Sequence, residues 1–102
     1  MKIPQMASAA VSMVQGSIES FVKSDLKLAK QVMKSDDVVD ALFEEVKNAL
    51  IEEVTKNRDS SDEAIDCLMI AKYLERIGDH AVNICEWVEF SLTGVHKSIQ
   101  IL

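Results

Sequence analysis

Apolar residues recur along this chain at intervals of three and four. On the last long stretch they fall at Cys67, Ile70, Leu74, Ile77, Ala81, Ile84 and Val88. That spacing lets an α-helix bury one stripe against other helices. It also runs through Ala7, Val11, Val14, Ile18 and Phe21, and through Val39, Leu42, Val46 and Ala49. The pattern predicts three helices, over about residues 5–23, 25–56 and 61–93, with a tail over 95–102. Polar punctuation falls at the divisions. Pro4 suits a first helical turn, Ser24 and Asp25 each offer a capping side chain, and residues 57–62 form a polar loop. Ser60 followed by Glu63 has the capping-box pattern for opening the third helix, and Gly94 is placed to stop it. The apolar pattern thins at Ser35-Asp36-Asp37, but one continuous helix accounts for the segment. Short loops make successive helices antiparallel neighbours. The expected fold is all-α: an antiparallel three-helix bundle in a single domain spanning residues 1–102.

Composition agrees. A chain of 102 residues that is 48% hydrophobic can enclose one core, and three glycines with a single proline leave long helices uninterrupted. Seventeen acidic residues against eleven basic ones give a net charge of −6. That balance excludes an ordinary nucleic-acid binder and favours metal cations or basic protein surfaces as partners. Cys67 and Cys85 lie roughly 27 Å apart along one helix, too far for a disulfide. Buried thiols in a reducing, cytoplasmic compartment are expected. No apolar run approaches the roughly 18 residues of a membrane span, and the stretch between Lys2 and Ala7-Ser8-Ala9 is too short for a secretory leader. The protein is expected to be peripheral to a membrane at most. A second apolar row on the third helix, Ala71, Gly78, Val82, Cys85 and Leu92, lies beside the main seam. A lone bundle leaves part of such a row exposed, which predicts a homodimer.

The chemistry lies in carboxylates. Glu75, Asp79 and Asn83 recur every fourth residue, which stacks them along one helix face. On the seam's numbering Glu75 and Asp79 turn away from the core. One such acidic pair is ordinarily solvated surface. The second helix repeats the device with Asp36, Asp40 and Glu44. Counted from the loop, Asp40 lies about 17 residues before it and Glu75 about 15 after it, with Asp36 and Asp79 at about 21 and 19. A helical hairpin therefore brings the two pairs level, making Asp36, Asp40, Glu75 and Asp79 the candidate metal ligands. Oxygen donors of this kind suit Mg, Ca, Mn and Fe, and Zn or Ni through carboxylates. There is no Cys/His set for structural zinc and no Glu-x-x-His pair for a di-iron centre. His80 projects about 100° away from Asp79, which leaves it a packing or solvent role. His96 follows the third helix, Arg76 is expected in a surface ion pair, and Trp87 and Phe90 are expected to bury against a neighbour. With no phosphate loop, nucleophile elbow or base–nucleophile pair, no catalytic residues are assigned and the chain is read as no enzyme.

The run Leu74-Glu75-Arg76-Ile77-Gly78-Asp79-His80-Ala81-Val82-Asn83-Ile84-Cys85-Glu86 resembles the signature helix of the PhoU family of phosphate-uptake regulators, close to LERIGD-x-x-x-N-I-x-E. The stretch Ser24-Asp25-Leu26-Lys27-Leu28-Ala29-Lys30, followed by Asp36-Asp37-Val38-Val39-Asp40, is similar to that family's second helix. The resemblance runs from Ala9 to Gly94 and implies a three-helix bundle whose acidic motifs hold metal clusters. Glu75 and Asp79 match the third-helix motif, Asp36 and Asp40 the second-helix motif, and Asp37 and Asn83 are additional candidates. It implies divalent or trivalent metal ions, with Fe, Zn, Mg, Mn and Ni as candidates. It also implies a cytoplasmic regulator that contacts the ATPase of the phosphate ABC transporter and its sensor histidine kinase. Family members ordinarily carry two such bundles in tandem, and this single one ends like the C-terminal copy. The alternative is a soluble helical adaptor domain without a functional metal site, such as the tail of a sodium/phosphate cotransporter. Metal content separates the two.

Overall fold

The computed structural model describes residues 2–94. Among them lie α1 (Ile3–Lys23), α2 (Leu26–Lys56), a 3₁₀ turn (Arg58–Ser60) and α3 (Ser61–Thr93), with no strand. All three helices pack on one another as the expected antiparallel bundle. The expected tail and His96 lie outside the described residues.

Local chemistry explains the element ends. Ser24 takes the left-handed conformation at φ 51°, which ends α1, and the Asp25 N–H donates back to the Ser20 carbonyl at 2.9 Å. The Asp25 side chain then accepts from the Leu28 N–H at 3.0 Å and caps α2. Two adjacent residues thus stop one helix and start the next. α2 runs unbroken through Ser35-Asp36-Asp37. Gly94, at φ 76°, closes α3 by donating its N–H to the Phe90 carbonyl at 2.7 Å. The expected capping box at Ser60 does not form. Ser60 sits at φ −87°, ψ 4°, not in the extended conformation of a normal N-cap, and its hydroxyl donates to the Asn57 carbonyl at 2.6 Å. Asn57, whose side chain accepts from the Asp59 N–H at 3.1 Å, organises the turn instead.

The helices are rotated from the orientation their largest apolar residues suggest. α1 buries Met6, Ala10, Met13, Ser17 and Ser20, each one residue before the expected row. Val11, Ile18 and Phe21 stay exposed, Phe21 by 67%. α3 buries Ala64, Ala71, Gly78, Ala81, Cys85 and Val88, while Ile70, Ile77 and Ile84 face outward. The row Ala71–Gly78–Cys85, expected at a partner surface, is therefore the bundle's own interior, with Val82 half-buried and only Leu92 exposed. On α2, Val39 and Val46 are buried as the seam requires, but Leu50 replaces Ala49.

The cause is close helix approach. A Cβ added at Gly16 would meet Val32 Cγ2 at 2.6 Å. At Gly78 it would meet Asp36 Oδ1 at 3.3 Å, Met13 Sδ at 3.5 Å and Val39 Cγ1 at 3.7 Å. Small residues let the backbones come together, and the methionines and valines of the neighbours fill the remaining space. The buried hydroxyls are satisfied within their own helix: Ser17 donates to the Val14 carbonyl at 2.8 Å and Ser20 to the Ser17 carbonyl at 2.7 Å.

Candidate metal centre

α2 turns Asp36 toward α3, with Asp40 one turn further along, and α3 returns Glu75 and Asp79 at the same level. Asp36 is half-buried, and its Oδ1 is enclosed without a hydrogen-bond partner. The missing side chain of Gly78 makes the room for that oxygen. Burial, followed by the charges of Asp40, Asp79, Asp37 and Glu75, pushes the Asp36 carboxyl up to about 6. Burial also raises Asp40, followed by the charges of Glu75 and Asp79, a hydrogen bond with Glu75, and the charge of Asp37. All four carboxylates singled out by spacing thus belong to one electrostatic group, and Asp37 joins it.

Three details differ from the sequence reading. Glu75 does not face away from the core; its side chain is only 16% exposed, because the rotation of α3 turns it toward α2. Glu44 lies outside the group, exposed and 3.9 Å from Lys47. Asn83 lines an apolar groove with Phe21, Ile84 and Trp87, on the α1 side of α3. His80 lines the same groove and is exposed, in keeping with a solvent role. Arg76 stacks 5.6 Å over the Tyr73 ring, and no ion pair for it occurs among the described residues. Trp87 and Phe90 pack edge to face, centroids 5.4 Å apart.

Sequence reasoning missed Lys72 and Phe43. Lys72 Nζ lies 2.7 Å from Glu75 Oε1 and 5.3 Å from the centre of the Phe43 ring on α2. The three-residue spacing of Lys72 and Glu75 was the available signal, but such pairs are common on any helix surface. Among the described residues, no three acidic, histidine or cysteine side chains converge tightly enough to hold an ion. The site is a row of like charges spanning two helices, with one buried, unsatisfied oxygen on Asp36. Its donors are all oxygen, and the excess negative charge fits a hard cation.

The fold is a small helical bundle with an acidic row across one helix pair. The chain belongs to the PhoU family: the PhoU domain model matches residues 3–88. It is similar to the phosphate-specific transport system accessory protein PhoU homolog 1 of Thermotoga maritima, 33% identical over 93 residues, covering 91% of this chain and 40% of that protein. The PhoU homolog of Clostridium acetobutylicum is also 33% identical, over 91% of this chain and 42% of its own length. That of Zymomonas mobilis is 35% identical over 92 residues, covering 90% of this chain and 39% of its own. The chain thus spans about 40% of the length of the curated relatives it matches. No solved structure matches it.

Proposed function

We propose that this domain is a metal-binding regulatory module of phosphate uptake. It acts from the cytoplasm, through protein–protein contact with the ATPase of the phosphate ABC transporter and with its sensor histidine kinase. Membership of the family and the names of its relatives, accessory proteins of phosphate-specific transport, support the transport role. None of the described helices is long and apolar enough to cross a membrane. The observation that carries metal binding is the enclosed, unpartnered oxygen of Asp36 amid the charges of Asp40, Glu75 and Asp79. A divalent or trivalent ion, with Fe, Zn, Mg, Mn and Ni as candidates, would be held by these four carboxylates once their side chains draw closer together than they stand in the free protein. Bound there, it supplies positive charge that ties α2 to α3. Of the four, Asp36 and Glu75 are half-buried, whereas Asp40 and Asp79 are exposed.

The test is thermal melting with and without added Mn²⁺. A ligand that binds only the folded state at a hundredfold excess over its dissociation constant adds about 2.7 kcal/mol. For a domain of this size that is a rise of roughly ten degrees or more. The variant Glu75→Gln/Asp79→Asn is expected to lose the rise. An equal response from both proteins would leave the row as solvated charge and favour the metal-free adaptor.

The same reading includes a homodimer. Its contact is the apolar surface shared by α1 and α3: Val11, Ile18 and Phe21 with Ile77, Ile84 and Trp87, all exposed. The molecule measures 52 × 25 × 16 Å, and its broad face exceeds the roughly 800 Å² per partner that a stable interface needs. Light scattering is expected to give twice the chain mass for the wild type and a monomer for Ile77→Glu/Ile84→Glu. A wild-type monomer at high concentration removes the dimer from this reading.

A further inference from the structure

We infer that Lys72 is the resident counter-ion of the acidic row and competes with a bound cation for Glu75; this rests on the metal-binding reading above. The ammonium is held from two sides. Glu75 Oε1 accepts from Nζ at 2.7 Å, and the Phe43 ring lies 5.3 Å beneath it. Glu75 is on α3 and Phe43 on α2, so Lys72 bridges the two helices that carry the carboxylates. Phe43 lies one turn beyond Asp40, and Lys72 one turn before Glu75. The ammonium therefore sits at one end of the row, where it screens the mutual repulsion of Glu75 and Asp40. The contact is half exposed to water and therefore open enough to break. The Lys72 side chain is 49% exposed, against 16% for Glu75. A metal ion that takes Glu75 must push the ammonium out or bear its repulsion. Release of Lys72 then moves an ammonium away from Glu75 and the Phe43 ring and into solvent, giving metal occupancy an external sign.

The test titrates the protein with Mn²⁺ alone in a calorimeter, at fixed pH and ionic strength. Lys72→Met keeps the aliphatic stem and removes the charge. It is expected to bind Mn²⁺ about tenfold more tightly, the effect of deleting a positive charge about 5 Å from a divalent ion in a solvent-screened site. Lys72→Gln should follow it, which excludes a packing effect peculiar to methionine. Lys47→Met, whose lysine pairs with Glu44 outside the row, should match the wild type. Melting supplies the second measure. In chelator Lys72→Met should melt below the wild type, since Glu75 has lost its partner, and with saturating Mn²⁺ the order should reverse. A merely structural lysine would lower both melting temperatures alike. Unchanged or weaker Mn²⁺ binding by both variants overturns the inference while leaving metal binding intact. Binding by the Lys72 variants but not by the wild type supports it. No binding by any of the proteins overturns both readings.

Discussion

Leucine at position 78 is expected to cost about 3 kcal/mol and to lower the melting temperature by more than ten degrees. Gly78 is buried where all three helices meet. Its missing Cβ would touch Asp36 and Val39 of α2 and Met13 of α1, all between 3.3 and 3.7 Å. Alanine is expected to be nearly neutral. It gains about 1 kcal/mol of helix propensity and asks only that the Asp36 carboxyl shift slightly. Leucine adds three more carbons to a space with no room for them, so α3 must move away from both neighbours. Urea unfolding of the two variants measures the contrast. A leucine variant as stable as the alanine one would mean that the helices do not approach this closely.

Asparagine at position 36 is expected to stabilise the metal-free protein above pH 6. The folded-state pKa of Asp36, about 6, lies above its ordinary value of 3.8. The folded chain therefore holds this proton more tightly than the unfolded chain does. Its contribution to stability is most favourable below about pH 4, falls as pH rises toward 6, and is level above that. The shift sets an upper limit of about 3 kcal/mol, which solvent screening at a half-buried carboxyl reduces to about 1–2 kcal/mol. Asp36→Asn removes the charge but keeps the shape. Its advantage over the wild type should be present at pH 7.5, absent at pH 3.5, and reversed at pH 7.5 by saturating Mn²⁺. Urea melts of both proteins at the two pH values measure it. A difference that does not vary with pH would mean that the carboxyl is not destabilised by its surroundings.

Which features were legible in the sequence follows from what each depends on. Helix number and order rest on periodicity and turn chemistry, both local, and Asp25 and Gly94 act at the helix ends as their residue types dictate. The level of the acidic pairs also follows from sequence, because axial height in a hairpin is a matter of counting residues. Rotation about the helix axis is different. α1 and α3 each carry two candidate stripes, and hydrophobicity favours the one with the larger side chains. The structure buries the small one, Ala10 and Ser17 on α1 and Ala71, Gly78 and Cys85 on α3, because axis separation is set by the neighbours. Glu75 followed that error: its height was right and its direction wrong. Lys72 was invisible for a related reason, since its role needs Phe43 from the other helix. Ser60 failed as a cap because the turn before it coils into 3₁₀ form.

The connections have a kinetic consequence. Ser24 and Asp25 alone join α1 to α2, and little more than one 3₁₀ turn joins α2 to α3. Closing either link costs little chain entropy, so the α2–α3 hairpin can zip outward from Arg58–Ser60, with α1 swinging in about its own tight link. Architectures dominated by such sequence-local pairings cross their folding barrier in microseconds to milliseconds. A domain built this way spends little time as a sticky, half-made chain on leaving the ribosome.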